Sequence, residues 1–165
     1  MNNGIMWEGL LSIVITVVSG VLVYLAGEIL NTVWLHPLQE YKMMKQKIAY
    51  ELSYDAQYYG NVIQNSGPDS TDEDLHRKYL EASNRIRIIA CELEGYIETL
   101  SWFKLGIPRK KNLKDACSLL FLLSNSLFTG TYDVVEASLR NQNCALKIKK
   151  KLGLYGSKKE KYNEI

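Results

Sequence analysis

The chain holds 165 residues, 47% of them hydrophobic and 23% charged, with a formal net charge of +2. That balance belongs to a chain able to bury a core, and it excludes a low-complexity, collagen-like or charge-swollen disordered segment. Three cysteines in this length exclude a disulfide-stapled scaffold.

The first predicted element is Leu10–Ala26, LLSIVITVVSGVLVYLA, which carries neither charge nor proline. Glu8 and Glu28 close the uncharged run, and Met6, Trp7, Ile29 and Leu30 extend its apolar character. Met6 to Leu30 makes roughly 37 Å of helix at about 1.5 Å per residue. That length crosses a hydrocarbon core of ~30 Å with some tilt. Trp7 and Trp34 flank it at the positions of interfacial aromatics. A secretory signal needs a basic start and a small-x-small cleavage site. Residues 1–9 hold no Lys or Arg, and Tyr24 with Ala26 does not supply the site. The expectation is one transmembrane helix.

This helix has two faces. Gly9, Ser12, Thr16, Ser19 with Gly20, Val23 and Gly27 recur at steps of three and four, a stripe of small or weakly polar side chains. Leu11, Ile15, Val18, Leu22, Leu25 and Ile29 lie opposite and suit lipid. The stripe reads either as a helix-packing seam or as a pore lining with the hydroxyls facing water, and both readings predict a homo-oligomer. Glu28 sits near the end of the span. It either reaches the headgroups or forms a cation-favouring ring in a symmetric assembly.

Charge is unevenly spread. Residues 1–34 carry two acids and no base, residues 35–100 seven bases against eleven acids, and residues 101–165 thirteen bases against five acids. Lys42, Lys45 and Lys47 follow the span and no base precedes it. The positive-inside rule then predicts the N-terminus outside and the rest of the chain in the cytoplasm. Cys91, Cys117 and Cys144 fall within apolar helical patterns and are expected to be buried, reduced thiols.

At Trp34-Leu35-His36-Pro37 the proline is expected to break the membrane helix or to open the next one. His36 and Pro37 are therefore the hinge candidates, and residues 1–36 are set apart as span and junction. A second helix is predicted over 37–62, with Leu38, Tyr41, Met44, Ile48, Leu52, Ala56, Tyr59 and Ile63 inward. A loop over 64–72 follows, with Ser70 and Glu73, or Thr71 and Asp74, in capping-box geometry. A third helix over 73–100 turns Leu75, Tyr79, Ala82, Ile86, Ile89, Leu93, Tyr96 and Leu100 inward. Arg77, Lys78, Arg85 and Arg87 lie off that seam as a solvated face.

The connector SWFKLGIPRKK holds Trp102 and Phe103, expected to dock on the helices or on a neighbouring subunit, and leads to Asn112 as the expected N-cap. Arg109, Lys110 and Lys111 beside a helix N-terminus form a candidate anion or phosphate site. A fourth helix from Leu113 to Phe128 turns Leu113, Ala116, Leu120, Leu123 and Leu127 inward and is short for a second span. A fifth runs from Tyr132 to Leu152, with Asp133 and Glu136 early and Lys147, Lys149, Lys150 and Lys151 late, as the helix dipole favours. Gly153 ends it, and residues 153–165 form a basic tail. The fold expected is all-α: an N-terminal transmembrane helix followed by a cytoplasmic antiparallel four-helix bundle over 37–152.

Chemistry of the catalytic kind is not indicated. The two histidines, His36 and His76, and the lack of clustered ligand spacing argue against a metal centre. There is no phosphate-cradling glycine loop and no nucleophile elbow. Neither a cofactor nor an enzyme is expected.

The junction Leu35-His36-Pro37-Leu38-Gln39-Glu40-Tyr41 with Lys47-Ile48-Ala49-Tyr50, and Leu122-Leu123-Ser124-Asn125-Ser126-Leu127, resemble words found in small bacterial single-span membrane proteins. In layout the chain is similar to the channel-forming effectors of Hailong anti-phage systems. That resemblance implies an oligomeric pore in the bacterial inner membrane, gated by a single-stranded oligonucleotide or other nucleotide-type ligand, and no catalytic residues. Arg109, Lys110, Lys111, Lys147 and Lys150 are the expected ligand donors. The competing expectation is a non-catalytic anchored scaffold that docks a cytosolic partner protein.

Overall fold

The computed structural model describes residues 3–64, 73–100, 106–129 and 133–154. The expected capping box at Ser70 or Thr71, the docking of Trp102 and Phe103, and the basic tail from residue 155 onward lie outside the described residues.

The chain opens with α1, Asn3–Leu30, which is exposed from Trp7 to Leu30. Among the described residues it lies in the one helix long and apolar enough to cross a membrane. A π turn over Asn31–Leu35 joins it to α2, His36–Tyr54. The chain does not leave helical geometry at Pro37, so the break expected there takes another form. A proline within a helix removes the amide that would reach four residues back and crowds the carbonyl waiting for it. Here the turn before it is widened instead: the His36 amide donates to the Asn31 carbonyl, and Leu30, Leu35 and His36 all keep right-handed helical angles. The result is one helical rod from Asn3 to Tyr54.

The helix predicted over 37–62 ends early. Asp55, at φ −87° and ψ 7°, turns the chain into the short α3, Ala56–Gly60. Ile63–Gln64 (β1) then pairs in parallel with Phe128–Thr129 (β2), with Ile63 opposite Phe128. Two residues are too few to leave an alternating pattern, so this pairing was not expected. Helix α4 follows at Glu73–Thr99, α5 at Lys110–Asn125 and α6 at Val134–Lys151.

Helices α2, α4, α5 and α6 share one apolar core. Ile48 and Leu52 of α2, Ile86 and Leu93 of α4, Leu113, Leu120 and Leu123 of α5, and Ile148 of α6 are all fully enclosed. The seams expected for α4 and α5 are the buried faces, with Leu75 at the exposed start of α4. On the second predicted helix Ala56 is exposed, and Asp55 takes the inward place. Helix α5 starts earlier than expected. Arg109 is its N-cap residue and makes no side-chain capping bond, while the amides of Asn112 and Leu113 donate to its carbonyl. Asp133, expected inside the last helix, instead caps it and accepts from the Val135 amide at 2.8 Å. Gly153, at φ +60°, ends α6 in a left-handed turn. The amides of Gly153 and Leu154 donate back to the carbonyls of Lys150 and Lys149, which satisfies the last carbonyls of the helix.

Candidate functional site

The stripe on α1 is intact as a surface. Ser12, Thr16, Ser19, Gly20, Val23, Gly27 and Glu28 are all exposed. A methyl group added at Gly9, Gly20 or Gly27 would meet nothing within 4 Å, so their smallness serves no contact within the protomer. The Thr16 hydroxyl donates to the Ser12 carbonyl at 2.8 Å, and the Ser19 hydroxyl to the Thr16 carbonyl at 2.9 Å. Both therefore spend their donors on the helix itself and demand no water.

The junction is fastened to the domain. Pro37 offers its carbonyl to the Tyr96 hydroxyl of α4 at 3.1 Å. Leu38 lies so near Gly106 that a side chain there would come within 3.1 Å of it, and Gly106 also stands at φ +82°. His36 approaches Glu40 at 3.6 Å on an exposed face. One turn further, the buried Tyr41 hydroxyl donates to the Leu152 carbonyl at 2.6 Å, and Lys45 donates to that of Gly153 at 2.7 Å. Burial pushes the Tyr41 phenol up to about 12.

These bonds decide where the expected ligand donors fall. Helices α5 and α6 run antiparallel, with Asp115 against Lys151 at 2.5 Å near one end and Ser126 bonded to Asn141 at 2.6 Å near the other. The start of α5, with Arg109, Lys110 and Lys111, therefore meets the finish of α6, with Lys150, at the end of the domain that continues into α1. Lys147 stands a turn earlier on α6, at a groove of about 390 Å³ between α5 and α6 that is also lined by Leu119, Leu122 and Leu139. Arg109, Lys111 and Lys150 are exposed; Lys110 lies 3.9 Å from Glu98, and Lys114 3.5 Å from the same carboxylate. The opposite end carries Glu73 and Asp74 at the start of α4, and Asp133 and Glu136 at the start of α6.

A buried polar cluster was missed. Asp55 is fully enclosed and accepts from the Arg85 guanidinium at 2.5 Å, while Glu51 lies 3.7 Å from the same side chain. Burial pushes the Asp55 carboxyl up, and the adjoining guanidinium pulls it part of the way back. Among the described residues, the second carboxylate oxygen of Asp55 and the Arg85 Nε have no hydrogen-bond partner. The Tyr54 ring lies 5.2 Å from the guanidinium and covers it. Arg85 was expected on a solvated face. The signal lay on its partner: Asp55 is three residues after Leu52 and four before Tyr59, both inward positions. The cysteine expectation also needs correction, because Cys117 and Cys144 are buried and Cys91 is exposed.

No three His, Cys, Asp or Glu side chains among the described residues are grouped to hold a metal ion. Comparison with family models, curated proteins and solved structures finds no match.

Proposed function

We propose that this chain is an oligomeric membrane effector of bacterial anti-phage defence. In this reading α1 crosses the inner membrane and forms a pore with its copies, and α2, α4, α5 and α6 form a cytoplasmic antiparallel four-helix bundle that controls it. The observation carrying this reading is the unbroken rod from Asn3 to Tyr54. Its first part is exposed and apolar, and its second part supplies Tyr41, Ile48 and Leu52 to the domain core. A rearrangement of the core is thereby transmitted to the apolar helix without a flexible link to absorb it. A ligand acts on such a device by binding its states unequally. The stripe of Ser12, Thr16, Ser19, Gly20, Val23 and Gly27 is the face on which copies meet. The test is flux of monovalent cations from vesicles holding the full chain. Ion leak that Ser12→Leu or Thr16→Leu abolishes supports the pore, and vesicles that stay tight with and without added nucleotide-type ligands, the chain inserted and assembled, sink it.

One observation favours a second reading, the non-catalytic anchored scaffold. The Thr16 and Ser19 hydroxyls are satisfied within their own helix, so the stripe can close as a dry seam. Replacing residues 6–30 with an unrelated span then preserves activity, whereas under the pore reading it removes activity.

A further inference from the structure

The start of α5 is a poor place for positive charge. A helix N-terminus carries the positive end of the dipole, and acids are favoured there. The first turn of α5 holds no acid, and Arg109, Lys110 and Lys111 occupy its opening positions. Helix stability therefore does not account for them. At the finish of α6, Lys149 to Lys151 do suit the dipole, and the fold brings them beside the cations of α5, where Asp115 pairs with Lys151.

The domain neutralises only part of this charge. Glu98 is shared by Lys110 and Lys114, and Asp115 is taken by Lys151. Lys111 lies near that same, already paired Asp115. Arg109 and Lys150 are exposed and have no carboxylate partner among the described residues. What remains is a positively charged end made from two helices, tied by Tyr41 and Lys45 to the first turns of α2.

Its height above the apolar helix follows from the rod. Tyr41 stands seven residues beyond Trp34, about 10 Å of rise. A headgroup layer extends roughly 6 Å beyond each face of the hydrocarbon, and screening adds a reach of about 8 Å at physiological salt. The charged end therefore falls within the field of the leaflet from which α1 emerges.

We propose that this end rests on the anionic phospholipid headgroups of that leaflet, with Arg109, Lys111 and Lys150 facing the phosphates. The proposal rests on α1 crossing the bilayer. It assigns to lipid the donors that sequence alone offered to a nucleotide-type ligand. A nucleic acid at the same place would have to enter between the domain and a leaflet that repels it. Each cation near an anionic surface contributes roughly a fivefold preference, which salt weakens.

The test uses the full chain reconstituted in phosphatidylcholine bilayers with and without phosphatidylglycerol. Resistance to alkaline extraction is measured first, and a stripped protein overturns the span and the proposal together. For inserted protein, association of spin-labelled phosphatidylglycerol is compared with that of spin-labelled phosphatidylcholine. The expected result is a several-fold preference for phosphatidylglycerol that fades as salt rises. It disappears in the R109Q/K111Q/K150Q variant and persists in R77Q, which alters the far end of the domain. Equal association of the two lipids in inserted protein, or a preference that survives the triple substitution, overturns the lipid assignment and leaves the span standing. A labelled single-stranded oligonucleotide is the remaining arm. Its binding to the phosphatidylcholine sample, lost in the triple variant and unaffected by phosphatidylglycerol, would also overturn the proposal in favour of nucleic acid.

Discussion

Asp55 enters the core with one oxygen bonded to Arg85 and the other unpartnered. A buried pair of this kind adds little to stability as a pair, but removing one member leaves the other uncompensated. Asp55→Ala should therefore destabilise the domain by about 2–4 kcal/mol, toward the low end of buried pairs because Arg85 remains 31% exposed. Replacing Asp55 and Arg85 together with Leu and Met should recover most of that loss. Urea denaturation of the two variants checks both numbers, and a double variant as unstable as the single one would contradict the account. The thiols give a second residue-scale prediction. Burial pushes Cys117 up to about 11 and also raises Cys144, so neither holds appreciable thiolate near neutrality. A thiol reagent at pH 7 should modify one cysteine in the native chain and three after unfolding. Cys91→Ser should remove the native reaction. Sequence reading misplaced Cys91 because an apolar window around it does not distinguish the face of Ala90 and Leu93, which is buried, from the face of Cys91, which is not.

The elements themselves were largely legible where a face had to be buried. Leu113, Ala116, Leu120, Leu123 and Leu127 repeat at steps a helix must obey, and all of them are enclosed. What periodicity could not supply was the form of the joints. Nothing local to Asp55 ends a helix; its carboxylate is held by a residue of α4, and that partner is invisible to a scan along one strand of sequence. Pro37 announced a disturbance but not its kind, since a proline can break a helix, start one, or widen the turn before it. The widened turn makes a prediction of its own. With Pro37→Ala the missing amide returns, and residues 31–35 should relax to ordinary α-helix. Removing one residue's excess from the turn rotates α1 against α2 by about 100°. Because Tyr41, Ile48 and Leu52 lock α2 into the core, α1 is the part that turns. In the proposed assembly, single cysteines placed at 12, 16 and 19 should then lose their disulfide crosslinking between copies, and neighbouring positions should gain it. An unchanged crosslinking pattern would separate the π turn from its proline.

For the molecule as a whole, the proposed assembly can be separated from folding because a side chain at Gly9, Gly20 or Gly27 would meet nothing within 4 Å among the described residues. A side chain at Gly20 meets only open space among the described residues, so Gly20→Leu should leave the unfolding free energy of the domain in urea unchanged within about 0.5 kcal/mol. In the proposed assembly, copies pressed together along that face have no room for it, and crosslinked oligomers in the membrane should fall several-fold. Oligomers undiminished by the leucine would move the meeting face elsewhere on α1. The composition of this face was readable directly, since a three-and-four spacing needs only the helix. The gathering of charge at one end of the domain was not. Arg109 and Lys150 lie far apart in the chain, and only the antiparallel course of α5 and α6 brings them to the same level.

The rod from Asn3 to Tyr54 has a mechanical consequence. At about 78 Å it is more than twice as long as a hydrocarbon core is thick, and the domain is built onto its C-terminal part. An apolar helix that is too long for its bilayer tilts. With α1 in a bilayer as proposed, a tilt of the rod would carry α2 through the same angle and lower one flank of the domain toward the surface. On the proposed insertion of α1, the thickness of the surrounding lipid becomes a lever on α5 and α6.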